Sequence, residues 1–346
     1  MTRDDLRHRR IDRRDDRHAR RTAAEPAEAD PVVLSARQPS DLIGVVPYLL
    51  GFHPTESLVV VFLRDRRVAV TARLDLAAAE SFGELIDHLE LVAARVETRT
   101  VVVLGYSADG GILQLLTDLA DALPLDLVDA LAVGPDRWWS VLCDGGCCPA
   151  EGTPYDLSSH PLAAAAVLAG LPATAAREEI AALTDGPEQG ATDRLALLAG
   201  ECEAGLSGLS TRRRKQRMRR GVQQALATPA GPSETEALEL AVLAGDVTIR
   251  DVAWAMMSRR SADDHVTVWR HVVAVTPPPY EAAPLGMLAM AGWLSGNGAL
   301  HNCCIDRLER VAPSYSLLQL CRDISERAIH PKYFDDLSRD LRELAG

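Results

Sequence analysis

The chain has 346 residues, room for about two domains at ~150 residues each, with 47% apolar and 25% charged side chains and a formal charge of -12. That usage is ordinary for a globular protein, and the acidic balance opposes general affinity for nucleic acid because a polyanion is repelled on average. Seven cysteines, an odd number in a chain with no apolar leader, argue against a disulfide framework and for reduced thiols in a cytoplasmic setting.

From Met1 to about Asp30, arginine alternates with aspartate and large apolar side chains are scarce. Such a segment cannot offset its ordering entropy, so residues 1–31 read as a disordered tail. It has no apolar h-region, and no stretch of the chain approaches the ~20 apolar residues of a membrane span. Neither secretion nor a membrane partner is expected. The same tail composition fits a start site set upstream of the true one.

Ser40 and Asp41 fit a helix start before Leu42, Val45 and Val46, and Pro47 is expected to limit that helix. The β-branched run 57–63 reads as a buried strand, the charged turn 64–67 leads into a second strand over 68–74, and the two form a hairpin. From Ser81 the apolar residues Phe82, Leu85, Ile86, Leu89 and Val96 keep a helical period. A third strand over 100–106 precedes a helix over 112–123, and two more strands are expected at 127–133 and 137–142. The order β-β-α-β-α-β-β implies an α/β (α+β) domain, residues 32–157, with a mixed sheet and helices on its face.

After Tyr155 the character changes. Segments 162–171, 177–183, 195–206 and 233–244 are Ala- and Leu-rich with helical spacing, while 266–275 is ambiguous because of its valines. Pro277, Pro278 and Pro279 form a break, and helices follow at 285–294, 300–311 and 316–328. Residues 158–346 are therefore expected to be an all-helical domain. Trp293, Gly296 and Pro313 fall where a tetratricopeptide unit places its turn and terminal proline, but no second copy is found, so the reading is a helix-turn-helix hairpin.

Two stretches are more specific. One runs Pro47-Tyr48-Leu49-Leu50-Gly51-Phe52-His53-Pro54-Thr55-Glu56-Ser57-Leu58-Val59 and ends at Arg73-Leu74-Asp75-Leu76. The other is Asp136-Arg137-Trp138-Trp139-Ser140, then Cys143, Cys147-Cys148-Pro149 and Glu151-Gly152-Thr153-Pro154. Together they resemble the actinobacterial family known as domain of unknown function 4192, and the stretch from Trp293 to Gly298 is similar to its helical tail. The resemblance spans roughly Val32 to the end. It implies a cytoplasmic actinobacterial protein and supplies no substrate or catalytic residue.

Cys143, Cys147 and Cys148 are the first chemical candidate. Thiolates are soft ligands and could hold zinc with a fourth group from Asp144, His160 or Cys202. Yet Cys143-x3-Cys147 is a single hook without a mate, and adjacent cysteines rarely reach one metal. Small thiols packed in a turn bent by Gly145 and Gly146, or a reactive thiol, are the other readings. Between Gly51 and Ser57, His53 could serve as a general base and Ser57 as a nucleophile. No triad arrangement or G-x-S-x-G elbow surrounds them. The plainer reading has Pro54 fixing a turn, Phe52 anchored in the core and Ser57 bonding backbone.

Trp138 and Trp139 are adjacent on a strand and must face opposite sides of the sheet. Asp109-Gly110-Gly111 opens a helix after a strand, a weak anion-site pattern without G-x-G-x-x-G. From Arg212 to Arg220, seven cations stand in nine residues, which suits phosphate or an acidic partner. No aromatics are interleaved for stacking, and neutralisation of the acidic stretch 234–239 is the plainer account. The leading expectation is thus a non-enzymatic binding or regulatory module that docks another protein through its helical half. An enzyme or metal protein centred on the cysteine turn and the 51–57 loop is second, and nucleic-acid association through Arg212 to Arg220 is third.

Overall fold

The computed structural model describes residues 35–77, 81–143, 148–171 and 173–334, all within one compact unit. The expected disordered tail, residues 1–31, lies outside them, as do Asp144, Gly145, Gly146 and Cys147 of the cysteine turn.

Helix α1 (Pro39–Leu50) starts on a capping box in which the Asp41 carboxylate accepts the Gln38 amide. Pro47 does not end it. The ring sits inside the helix, which runs on to Leu50 before Gly51, at φ 84°, stops it. An interior proline costs about 3 kcal/mol. Burial of Ile43 and Val46 against the sheet offsets this at ~1.5–3 kcal/mol per side chain.

The sheet is mixed, with six described strands in the order β2-β1-β3-β4-β5-β6. Strands β1 (Ser57–Arg64) and β2 (Arg67–Asp75) form the expected hairpin, turned through Asp65 and Arg66, both at positive φ. Helix α2 (Phe82–Arg95) leads to β3 (Thr100–Tyr106), which pairs antiparallel with β1. Helix α3 (Gly111–Ala122) then crosses to β4 (Asp126–Val133), parallel to β3. Strand β5 (Arg137–Ser140) returns antiparallel and is shorter than the 137–142 expected. A two-residue strand, β6 (Thr153–Pro154), closes the edge. It is too short, and too proline-marked, to read from periodicity.

Alternation sorts the β1 side chains to two faces. Leu58, Val60 and Phe62 meet α2 and α3, while Val59 and Val61 meet Ile43 and Val46 of α1. Trp138 and Trp139 divide in the same way, Trp138 on the α1 side and Trp139 towards the α2/α3 side. Gly152 explains why the second motif couples these tryptophans to Glu-Gly-Thr-Pro. It sits at φ 83° with the Trp139 indole where a Cβ would stand, 2.5 Å away, a place only glycine fills.

Beyond β6 all described elements are helical. Helices α4 (Pro161–Leu168), α5 (Arg177–Ala182), α6 (Gln189–Ser207) and α7 (Thr211–Ala227) are followed by α8 (Glu234–Ala244) and α9 (Val247–Trp254). Helix α10 (Ala262–Val275) settles the ambiguous valine-rich stretch. Val268, Trp269, Val272 and Val273 are buried at helical spacing, which outweighs β-branching. Helices α11 (Ala282–Leu294) and α12 (Gly298–Val311) form the expected hairpin, and α13 (Ser316–Glu326) packs on it. Among the described residues, no helix is long and apolar enough to cross a membrane.

Candidate functional site

The loop after α1 is the join between the sheet and the helices. Phe52 is buried in the core of the helical half, and it bridges Thr174 in a single parallel pairing. The His53 amide donates to the Thr174 carbonyl at 3.0 Å, and the Thr174 amide donates back to Gly51 at 2.9 Å. Ser57, first residue of β1, is wholly buried. Its hydroxyl donates to the Thr55 carbonyl at 2.6 Å and accepts from Arg73 Nε at 2.9 Å. Arg73 also reaches Asp75 at 2.6 Å and lies over the Phe52 ring, 5.8 Å from its centroid.

The two halves of the first motif therefore meet by register. Ser57 pairs with Asp75 and Val59 with Arg73 across the hairpin, so Ser57, Arg73 and Asp75 share one face. From the helical side Arg177 binds Asp306 at 2.6 Å. Burial disfavours its guanidinium, but Asp306, with Cys303 and Asp75 nearby, more than offsets that and holds its pKa above the usual value. Burial pushes the neighbouring Cys303 thiol up despite Arg177, which leaves it a poor nucleophile.

Glu56 carries out a role that single-residue reading misses. At φ 42° it turns its carboxylate onto the loop between β3 and α3. There it accepts from the Ser107 hydroxyl at 2.9 Å and the Ala108 amide at 3.3 Å. The Gly111 amide is taken by Asp109 at 3.2 Å. Within the weak anion pattern at Asp109-Gly110-Gly111, the Asp109 amide thus donates to the Ser107 hydroxyl and the Gly111 amide to the Asp109 carboxylate. An Asp–His contact stands on α1. His160 Nε2 lies 3.5 Å from Asp41, its Nδ1 accepts the Leu162 amide at 3.3 Å, and its ring rests on Gly44, where a Cβ would stand only 2.5 Å away.

Cys143 follows β5, and Cys148 packs on the α1 side of the sheet. The cysteine turn and the 51–57 loop flank β5 and β1, and those strands are not neighbours. Three strand spacings of ~4.8 Å, about 14 Å, separate them, so sheet adjacency does not bring the loop and turn into one cleft. Of the further ligands considered for zinc, His160 has the bonds just given and Cys202 lies 4.0 Å from the Thr235 carbonyl. Among the described residues no group of three His, Cys, Asp or Glu side chains is placed to hold a metal. Cys147 and Asp144 lie outside that set.

The basic run forms the first half of α7, which buries Met218, Val222 and Ala225 and exposes the opposite face. The acidic stretch it was expected to neutralise is mostly engaged elsewhere. Glu234 takes Arg194 at 2.7 Å, and Glu236 closes the α8 capping box and accepts from Gln224. Only Glu239 takes a cation of the run, Arg217 at 2.7 Å, while Arg214 reaches Asp246 at 3.8 Å. Arg212, Arg213, Arg219 and Arg220 are exposed and have no ion-pair partner among the described residues. Beside them, a groove of about 500 Å³ runs between α7 and α8, walled by Arg213, Arg217 and Arg220 on one side and by Glu236 and Glu239 on the other.

No curated protein and no solved structure matches the chain. The family described as a domain of unknown function (DUF4192) matches residues 39–332, a span that takes in the 51–57 loop, the tryptophan–cysteine motif and α7, and the chain belongs to that family.

Proposed function

We propose that the protein is a non-enzymatic binding module whose helical half docks an anionic partner on the outer face of α7. One observation carries this reading: Arg212, Arg213, Arg219 and Arg220 are exposed and without ion-pair partners among the described residues. They crowd the first ten positions of a helix whose first turn holds no acidic residue. Arg212 and Arg213 stand in its first turn, where cations oppose the positive end of the helix dipole, an effect confined to that turn and screened by salt, and all four arginines repel one another. A bound anion relieves that repulsion. The polar groups of the 51–57 motif support the same division of labour, because Ser57, Arg73, Asp75 and Glu56 bind one another or nearby backbone.

The full chain should be retained on heparin–agarose and released by salt. A variant with all four arginines replaced by glutamine should pass through, although it keeps every arginine of the N-terminal tail. Wild-type protein that is not retained, or a variant retained equally, would contradict the reading. The metal alternative makes a separate demand: untagged protein should carry one equivalent of zinc and lose it in Cys143→Ser. We expect substoichiometric zinc and a folded Cys143→Ser protein.

A further inference from the structure

The exposed face of α7 repeats itself. Arg212, Arg213 and Gln216 recur seven residues later as Arg219, Arg220 and Gln223, and all six side chains are exposed. Seven residues are nearly two turns, so each residue returns to within about 20° of its counterpart. The result is two identical clusters of two guanidinium groups and one amide on one side of a 17-residue helix. Their spacing is about 10 Å along the axis at ~1.5 Å per residue. Each strand of a nucleic acid carries a negative charge at every nucleotide, so two such clusters can engage separate phosphates of one backbone.

Resting on the α7 docking face proposed above, we infer that its occupant is the phosphate backbone of a nucleic acid, gripped at two points by the repeated Arg-Arg-Gln clusters. Arginine and glutamine are both frequent donors to phosphate oxygens. The guanidinium fork suits the phosphate geometry better than a lysine would, and six of the seven cations in the run are arginine. A folded protein partner fits less well. Protein interfaces are anchored by buried aromatic or aliphatic side chains, and none of the large exposed apolar side chains of the described residues lies on α7. Of the acidic wall, Glu239 is neutralised by Arg217, while Glu236 keeps its charge and accepts hydrogen bonds from Ser233 and Gln224. The chain's net charge of -12, which already includes the run's cations, repels the polyanion elsewhere and restricts contact to this face. With no aromatic residue on the helix for stacking, recognition is by backbone and tolerant of sequence.

Fluorescence anisotropy of a labelled random-sequence DNA duplex, titrated with the full chain over a salt series, tests this. Binding should weaken steeply as salt rises and differ little between sequences. The four-arginine glutamine variant should lose at least ~10-fold in affinity at about 50 mM salt, and its log–log salt slope should fall by roughly three to four. The four side chains are exposed and unpaired, so circular dichroism should be unchanged. Poly-L-glutamate is the competing probe. If it binds as tightly as the duplex and is lost in the variant, the docking face stands and the nucleic-acid occupant is wrong. Duplex binding that the variant retains in full also overturns the inference. If neither polyanion binds, the inference and the docking face fall together.

Discussion

The 51–57 loop and the face of α7 are both dense in polar and charged side chains, yet they use them in opposite ways. In the loop and its neighbours, Ser57 binds Thr55 and Arg73, Arg73 binds Asp75, and Glu56 binds Ser107 and Ala108. On α7, four arginines have no ion-pair partner among the described residues. Charge that is internally paired and partly buried supports the fold. Exposed, unpaired charge contributes little to stability and remains available to a ligand. Motif density alone therefore does not separate scaffold from docking surface; the destination of each hydrogen bond does.

Substitutions should divide along the same line. Phe52→Ala removes the aromatic that carries the loop into the helical core, and it should cost about 3–5 kcal/mol in urea unfolding. A cost below about 1 kcal/mol would mean the loop is not the join between the halves. Acid gives the next largest effect. Burial holds His265 at a pKa of about 4, against an ordinary 6.5. Its depressed folded pKa favours the neutral ring, so its contribution is fully present above pH 6.5. That contribution is lost as the pH falls towards 4, by up to about 3 kcal/mol. His265→Leu should flatten the pH dependence of the urea midpoint over that window.

Arg73→Ala strips partners from buried Ser57 and from Asp75 and should cost about 1–3 kcal/mol. Replacing the four α7 arginines with glutamine should stand at the far end, shifting stability by no more than about 0.5 kcal/mol while polyanion binding is lost. If that variant instead unfolds readily, the arginines belong to the scaffold and the comparison collapses.

Much of the sheet was legible because its signals are local. The β-branched run of β1, the helical period after Ser81 and the alternation that parts Trp138 from Trp139 need only neighbouring residues. Pro47 misled because the burial that holds its helix together is tertiary. The cysteine turn, the first chemical candidate in the chain, is only partly described, and its link to the 51–57 loop depended on strand order. That order places β3 and β4 between them. Glu56 is visible in the motif, but its ligands lie some fifty residues away. Arg177 and Asp306, 129 residues apart, have no sequence signal in a single chain. The basic run was plain in the sequence. What was not plain is that Arg194 and a capping box, rather than the run itself, occupy most of the acidic stretch. The Arg-Arg-Gln repeat could have been read at the outset by aligning the run to itself at seven residues.

Hydrogen–deuterium exchange of the full chain, with and without a saturating short DNA duplex, tests the central claim most directly. The account predicts slowed exchange concentrated between Thr211 and Gln224, with the 51–57 loop and the sheet unchanged. Protection centred on that loop, or on the cysteine turn with none in α7, would contradict it.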